Sequence, residues 1–140
     1  MGDVFVKGIT IRQLRVELIL QGRKPYEIRS WRTLYRGPIM LHAAKALDKS
    51  ALVALEIDAS SLFRGGFVGR AELKDCRPFT RADARVLRQN GAFVGKWSAG
   101  RFAWELTNVC RLPAPVPFRG ALGLFSVPIR IVRKTEGRVS

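Results

Sequence analysis

What this chain has little of narrows its role first. Its 140 residues include two cysteines, one histidine and eleven acidic residues. Cys76 and Cys110 form no Cys-x-x-Cys pair, and His42 is the one histidine beside them. A four-ligand zinc set is therefore out of reach, and two isolated thiols without a secretory context read as reduced core cysteines. No apolar run reaches the roughly 18 residues that a membrane helix needs. Met1 to Lys7 also lacks the charged-then-apolar layout of a signal peptide. These absences set the expectation of a cytoplasmic protein with no membrane partner, no metal and no cofactor. No internal repeat or low-complexity segment stands out.

The scarcity of acid is the loudest of these features. Against 11 Asp plus Glu stand 25 Lys plus Arg, a formal charge of +14. Such an excess favours a polyanion, by long-range attraction and by counterion release on binding. Arginine supplies most of it, and its planar fork matches phosphate and guanine edges. The bland alternative is a compositional bias or a solubility requirement. A 47% hydrophobic content is enough for one globular domain with its own core. Residues 1–132 read as that domain, and residues 133–140 as a loose basic tail.

Periodicity divides the domain. Val4 to Val6 reads as a short edge strand. Thr10 and Gln13 read as a capping box for a helix over Ile11 to Gln21, stopped by Gly22. That helix would carry Arg12 and Arg15 together on its polar side. Pro25 forces an extended exit, so a strand follows in which Glu27, Arg29 and Trp31 share one face. Lys24 stands at its mouth. Arg32 to Arg36 reads as a basic loop. Ile39 to Ala44 is apolar on both faces and marks an interior strand, on which His42 is first of all a core residue within reach of the same face.

Asp48 caps a second predicted helix to about Asp58, with Leu52, Leu55 and further Val53 and Ile57 facing inward. Phe67 to Cys76 alternates as a strand, placing Ala71 and Leu73 on one face and Arg70, Glu72 and Lys74 on the other. Thr80 caps a third helix, Arg81 to Gln89, whose Arg81, Arg85 and Arg88 make one basic stripe about 10 Å long. Lys96-Trp97 lies in a glycine-flanked loop, where Trp97 is either a stacking platform for a base or a loop anchor. Arg101 to Arg111 reads as a strand, Leu112 to Pro117 as a connection, and Leu124 to Ile131 as the last strand. About five or six strands with about three flanking helices make an α+β small mixed β-barrel.

The run Gly22-x-Lys24-x-x-Glu27-x-Arg29, then Trp31, Arg36-Gly37 and the apolar strand to His42, resembles the ASCH domain family of the PUA-like group. Val68 to Cys76, Phe102 to Leu106 and Pro115 to Gly120 resemble it as well, in family order, over about residues 8–130. Where many members continue Gln-Pro-Trp, this chain has Gln13-Leu14-Arg15. The resemblance implies a PUA-like barrel with a cleft between its mouth and the first helix, holding Lys24, Glu27 and Arg29.

Two functions of different class follow. In the first, the cleft binds RNA, with DNA as the alternative. Lys24 and Arg29 meet phosphates, Glu27 accepts from a base amino group, and Trp31 and Trp97 stack unpaired bases. Arg12, Arg15, Arg70, Arg81 and Arg85 extend the basic surface. In the second, the chain is a small hydrolase, an amidohydrolase on a modified nucleoside or a ribonuclease, with Lys24, Glu27 and Glu72 as its chemistry. Similar hydrolases carry threonine where this chain has Glu27, and a carboxylate does not replace a hydroxyl nucleophile. A protein-docking surface near Phe63, Phe67 or Phe93 is a third reading, which the charge disfavours.

Overall fold

Apolar alternation begins in the first described residues. Ile9, Ile11 and Gln13 are buried while Arg12 between them is exposed, so this stretch is a strand where a helix start was expected. In chain order the elements are β1 (Phe5–Gln13), α1 (Arg15–Leu20), β2 (Tyr26–Arg29), β3 (Gly37–Leu47) and α2 (Lys49–Leu55). A 3-10 turn (Ala59–Ser61) precedes β4 (Gly66–Pro78), α3 (Arg81–Gln89), β5 (Phe102–Pro117), β6 (Leu124–Pro128) and α4 (Ile129–Thr135). The computed structural model describes residues 5–92 and 96–137. Val4 and Phe93 lie outside them.

The chain is an α+β domain built on one mixed, barrel-like sheet in the order β2-β5-β4-β3-β1-β6. β1 runs parallel to β3, and every other pairing is antiparallel. The parallel register sets Thr10 beside His42. The sheet's concave side packs Ile11, Ile39, Leu41, Leu73 and Trp104 together with Val16 and Ile19 of α1. A second cluster lies under α3, where Leu14, Leu18, Ile28, Phe79 and Leu87 meet. A third, with Met40, Phe67, Val127, Ile131 and Val132, seats α4.

Several expectations change for local reasons. Gln13 does not cap a helix; its side-chain amide donates to the Phe63 carbonyl at 2.9 Å. The first helix is confined to Arg15–Leu20, has no side-chain cap, and ends at Gly22, whose positive φ of 78° is the left-handed turn glycine permits. α2 stops at Leu55 because Glu56 takes a positive φ, and Val53 faces solvent. β5 continues through the prolines to Pro117, at the part of β5 that pairs with Gly66 and Phe67. β6 ends at Pro128, which has no N–H to continue a ladder. Ile131, Val132 and Thr135 then bury at helical spacing, so the expected boundary at 132 falls inside α4, with Thr135 only 1% exposed. Cys76 is a buried thiol as expected, but Cys110 is exposed, and both are free. Phe67 is fully buried and Phe63 is partly buried against the core, so neither opens a docking face.

Other expectations are met closely. α3 starts at Thr80 in a capping box: the Thr80 hydroxyl accepts from the Asp83 N–H, and the Asp83 carboxylate accepts from the Thr80 N–H. Arg77 grips the same carboxylate bidentately at 2.6 and 2.9 Å. Burial alone would raise the pKa of Asp83, yet Arg77 and Thr80 hold it below the ordinary carboxylate range.

Candidate nucleic-acid cleft

Pro25 does what its chemistry demands: the chain leaves α1, turns, and enters β2 extended. β2 pairs with β5 so that Glu27 lies opposite Trp104, on the interior side. Lys24 is only 4% exposed and Glu27 only 2%. Lys24 donates to Glu27 Oε1 at 2.9 Å, the Ile28 N–H donates to the same oxygen at 3.2 Å, and Arg29 sits 3.0 Å from Glu27 Oε2. Arg29 also donates to the Thr10 carbonyl at 2.6 Å, which ties β2 to β1. Its Nε–H finds no acceptor among the described residues.

Charge inside this knot is strongly biased. Burial pushes the Lys24 ammonium below its ordinary value against the pull of Glu27. Burial would raise the Glu27 carboxyl, but Lys24 and Arg29 together hold it below the usual carboxylate range. Glu27 is therefore ionised at neutral pH. Lys24, occupied and enclosed, acts on Glu27 and Arg29 and not on the surface.

Above the knot opens a cavity of about 440 Å³, lined by Thr10, Arg12, Arg15, Glu27, Arg29, Trp31, Arg101 and the segment Ala121–Gly123, among others. It adjoins a larger one of about 840 Å³ lined by His42, Lys45, Phe118, Arg119 and Gly120. The two share Thr10, Ala44, Ala121 and Leu122, so they are halves of one cleft. Leu122 overhangs it, 99% exposed. Six basic side chains line the cleft (Arg12, Arg15, Arg29, Lys45, Arg101 and Arg119) against one acid, Glu27. Arg15 is partly occupied by Asp48 at 2.8 Å. Trp31 is set edge-on against Trp104, with ring centroids 4.6 Å apart, and Trp104 donates its indole N–H to the Trp31 carbonyl.

His42 holds the other wall. Its Nε2–H donates to the Phe118 carbonyl at 2.6 Å, which leaves Nδ1 as an acceptor facing the Thr10 hydroxyl at 3.3 Å. Burial lowers its pKa against the raising effect of the Phe118 bond, so the ring is neutral at pH 7. Gly120 presses on this pair: a Cβ there would stand 2.5 Å from Thr10 Oγ1 and 2.7 Å from His42 Cε1. The segment from Phe118 to Gly123 is thus a strap laid over β1 and β3.

The remaining sequence candidates lie elsewhere. Glu72 points away from Ala71 and Leu73 toward Tyr35, whose phenol is shifted upward by burial and then by Glu72, and it does not line the cleft. Strand alternation sets this side, with Ala71, Glu72 and Leu73 in unbroken register against β3. Arg70 is exposed near Glu136 at 3.5 Å, beside a separate hollow with Cys110 and Arg111. Arg81, Arg85, Arg88, Lys96 and Trp97 line a groove of their own. Trp97 is a loop anchor: its N–H donates to the Phe79 carbonyl at 2.7 Å, and Arg81 covers its ring at 4.3 Å. Sequence reasoning missed Thr10, Lys45, Arg101 and Arg119 as lining. Reading β1 as a strand would have turned Thr10 and Arg12 outward together; for the other three no periodic signal exists. Among the described residues no group of three or more His, Cys, Asp or Glu could hold a metal, and no helix is long and apolar enough to cross a membrane.

Comparisons agree with this architecture. The family profile described as ASCH domain matches residues 9–115. Two crystal structures from Zymomonas mobilis share the fold: an ASCH protein, with a TM-score of 0.63, and a point mutant of ZmASCH, with 0.62. Each is 14% identical over 96% of this chain, and 95% and 98% of their own chains are covered. Among curated proteins no sequence matches.

Proposed function

This chain belongs to the ASCH domain family, and from that premise we propose that it binds RNA through the cleft over β1 and β2. One observation carries the reading: six basic side chains line a cleft whose one acid, Glu27, is already neutralised by buried Lys24 and by Arg29. Basic side chains therefore outnumber acids along the described lining of the cleft. In this reading Arg12, Arg101 and the partly exposed Arg29 meet phosphates. Trp31, locked by Trp104 and partly exposed at the cleft, offers a ring for an unpaired base. Lys24 and Glu27 serve as the brace that aims Arg29. A cytoplasmic setting belongs to the same proposal, since it supplies RNA and keeps thiols such as exposed Cys110 reduced.

A hydrolase gains no comparable support. Lys24 and Glu27 neutralise each other inside the knot, and Glu72 faces away from it. The test is fluorescence anisotropy with labelled single-stranded RNA, duplex RNA and duplex DNA at two salt concentrations, with the recovered probe checked for cleavage. Single-stranded RNA should bind best and stay intact. Arg29→Ala should lower the salt slope by about 0.7, the value of one single-strand phosphate contact. An unchanged slope, or a cleaved probe, would overturn the reading.

A further inference from the structure

The basic stripe of α3 is not an ordinary solvated face. Arg81, Arg85 and Arg88 stand with Lys96 around a groove of about 360 Å³, walled by Trp97, and among the described residues no acid lines it. The acid of this helix, Asp83, is turned away and consumed by Arg77 and by the helix cap. Like charges three and four residues apart repel and destabilise a helix. Arg85 and Lys96 in particular have no ion pair among the described residues to offset that repulsion. Trp97 holds the Arg81 guanidinium flat against its ring while its own N–H is bonded away, so the wall is rigid and the donors of Arg81 are left for a ligand.

Position adds the second argument. Phe79 links this groove to the cleft through its two backbone groups. Its carbonyl accepts from Trp97 Nε1, and its N–H donates to the Arg101 carbonyl at 2.9 Å. Arg101 lines the cleft. Four residue steps take the chain from Trp97 to Arg101, so their Cα atoms lie at most about 14 Å apart. A single strand carries one phosphate per about 3.4 Å when stacked, so four or so nucleotides cover that step.

We propose that the α3 groove is a second phosphate-binding surface continuous with the cleft, so that one single-stranded RNA lies across both and its affinity depends on length. The inference rests on the cleft reading above. It predicts that the α3 contacts engage only an RNA long enough to reach them.

The experiment compares single-stranded RNAs of about 5 and about 15 nucleotides, the span over which such sites vary. Each is titrated against the full chain, an Arg85→Gln/Lys96→Gln double variant and Arg29→Ala. Neither Arg85 nor Lys96 has a hydrogen bond or ion pair among the described residues, and equal thermal midpoints confirm that the double variant folds as the parent does. The parent should bind the long RNA more tightly. The double variant should lose that advantage, with a salt slope lower by about 1.4 on the long RNA and unchanged on the short one. If the double variant binds both lengths like the parent while Arg29→Ala weakens both, the inference is overturned and the cleft reading stands. If the double variant weakens both lengths equally, the two surfaces are not ordered along one strand and the inference is again overturned. Binding of neither RNA by the parent would overturn both.

Discussion

The cleft and the α3 groove are both arginine-rich, yet they hold their charge in opposite ways. In the cleft, Lys24, Glu27 and Arg29 form a knot that is largely inside the protein, with donors spent on one carboxylate and on the Thr10 carbonyl. At α3, Arg81 and Arg85 of the helix and Lys96 of the following loop stand exposed around a groove that no acid lines among the described residues. The first arrangement trades solvation for geometry, and the second keeps solvation and accepts repulsion. The difference teaches that charge count alone does not locate a working cation. Lys24, within the motif, is enclosed and paired with Glu27, whereas Arg101 lines the open cleft.

The sharpest way to break this contrast is Glu27→Gln. It leaves the Lys24 ammonium and Arg29 without their counter-charge in a buried setting, and removing one partner of such a pair destabilises by about 3–5 kcal/mol. Urea denaturation should show that loss together with weakened RNA binding. A stability change below about 1 kcal/mol would make the knot no different from an exposed pair.

Gly120→Ala probes the strap without touching any charge. The new methyl would collide with Thr10 and His42, and overpacking of this kind costs about 1–3 kcal/mol. Cleft binding should fall with stability, while the α3 contribution on long RNA should persist. An unaltered urea midpoint would show that the strap yields freely.

The smallest expected effect is one of pH. The pKa of His42 is depressed in the folded protein, so between that value and about 6.5 the unfolded chain binds more protons. Stability should therefore fall as pH drops below about 6.5, and the urea midpoint should move down accordingly. His42→Gln should flatten this part of the profile. A midpoint that rises on acidification would reverse the sign assigned to His42.

Much of the site was legible because its determinants are local. Pro25 dictated an extended exit, and period two put Glu27 and Arg29 on one face, which the ion pair at 3.0 Å reflects. Thr80 announced the start of α3, and the expected span Arg81 to Gln89 is the one observed. The second half of β1 was misread because Thr10 and Gln13 imitate a capping box, while the burial of Ile9, Ile11 and Gln13 depends on neighbours β3 and β6. Likewise Ile129 and Ile131 suit a strand or a helix equally. The packing of Ile131 and Val132 against Met40 and Phe67 chose the helix.

The sequence by itself determined an α+β domain, its family, its positive field and the grouping of Glu27 with Arg29, since composition and period-two patterning are properties of neighbours along the chain. Only the tertiary structure decided that Lys24 is enclosed, that Glu72 faces away, that Trp97 anchors its loop, and that residues 118–123 roof the cleft. Those facts depend on strand order and on contacts such as Phe118 with His42, 76 residues apart. Burial and register are set by whatever packs across the sheet, and no local spacing encodes that.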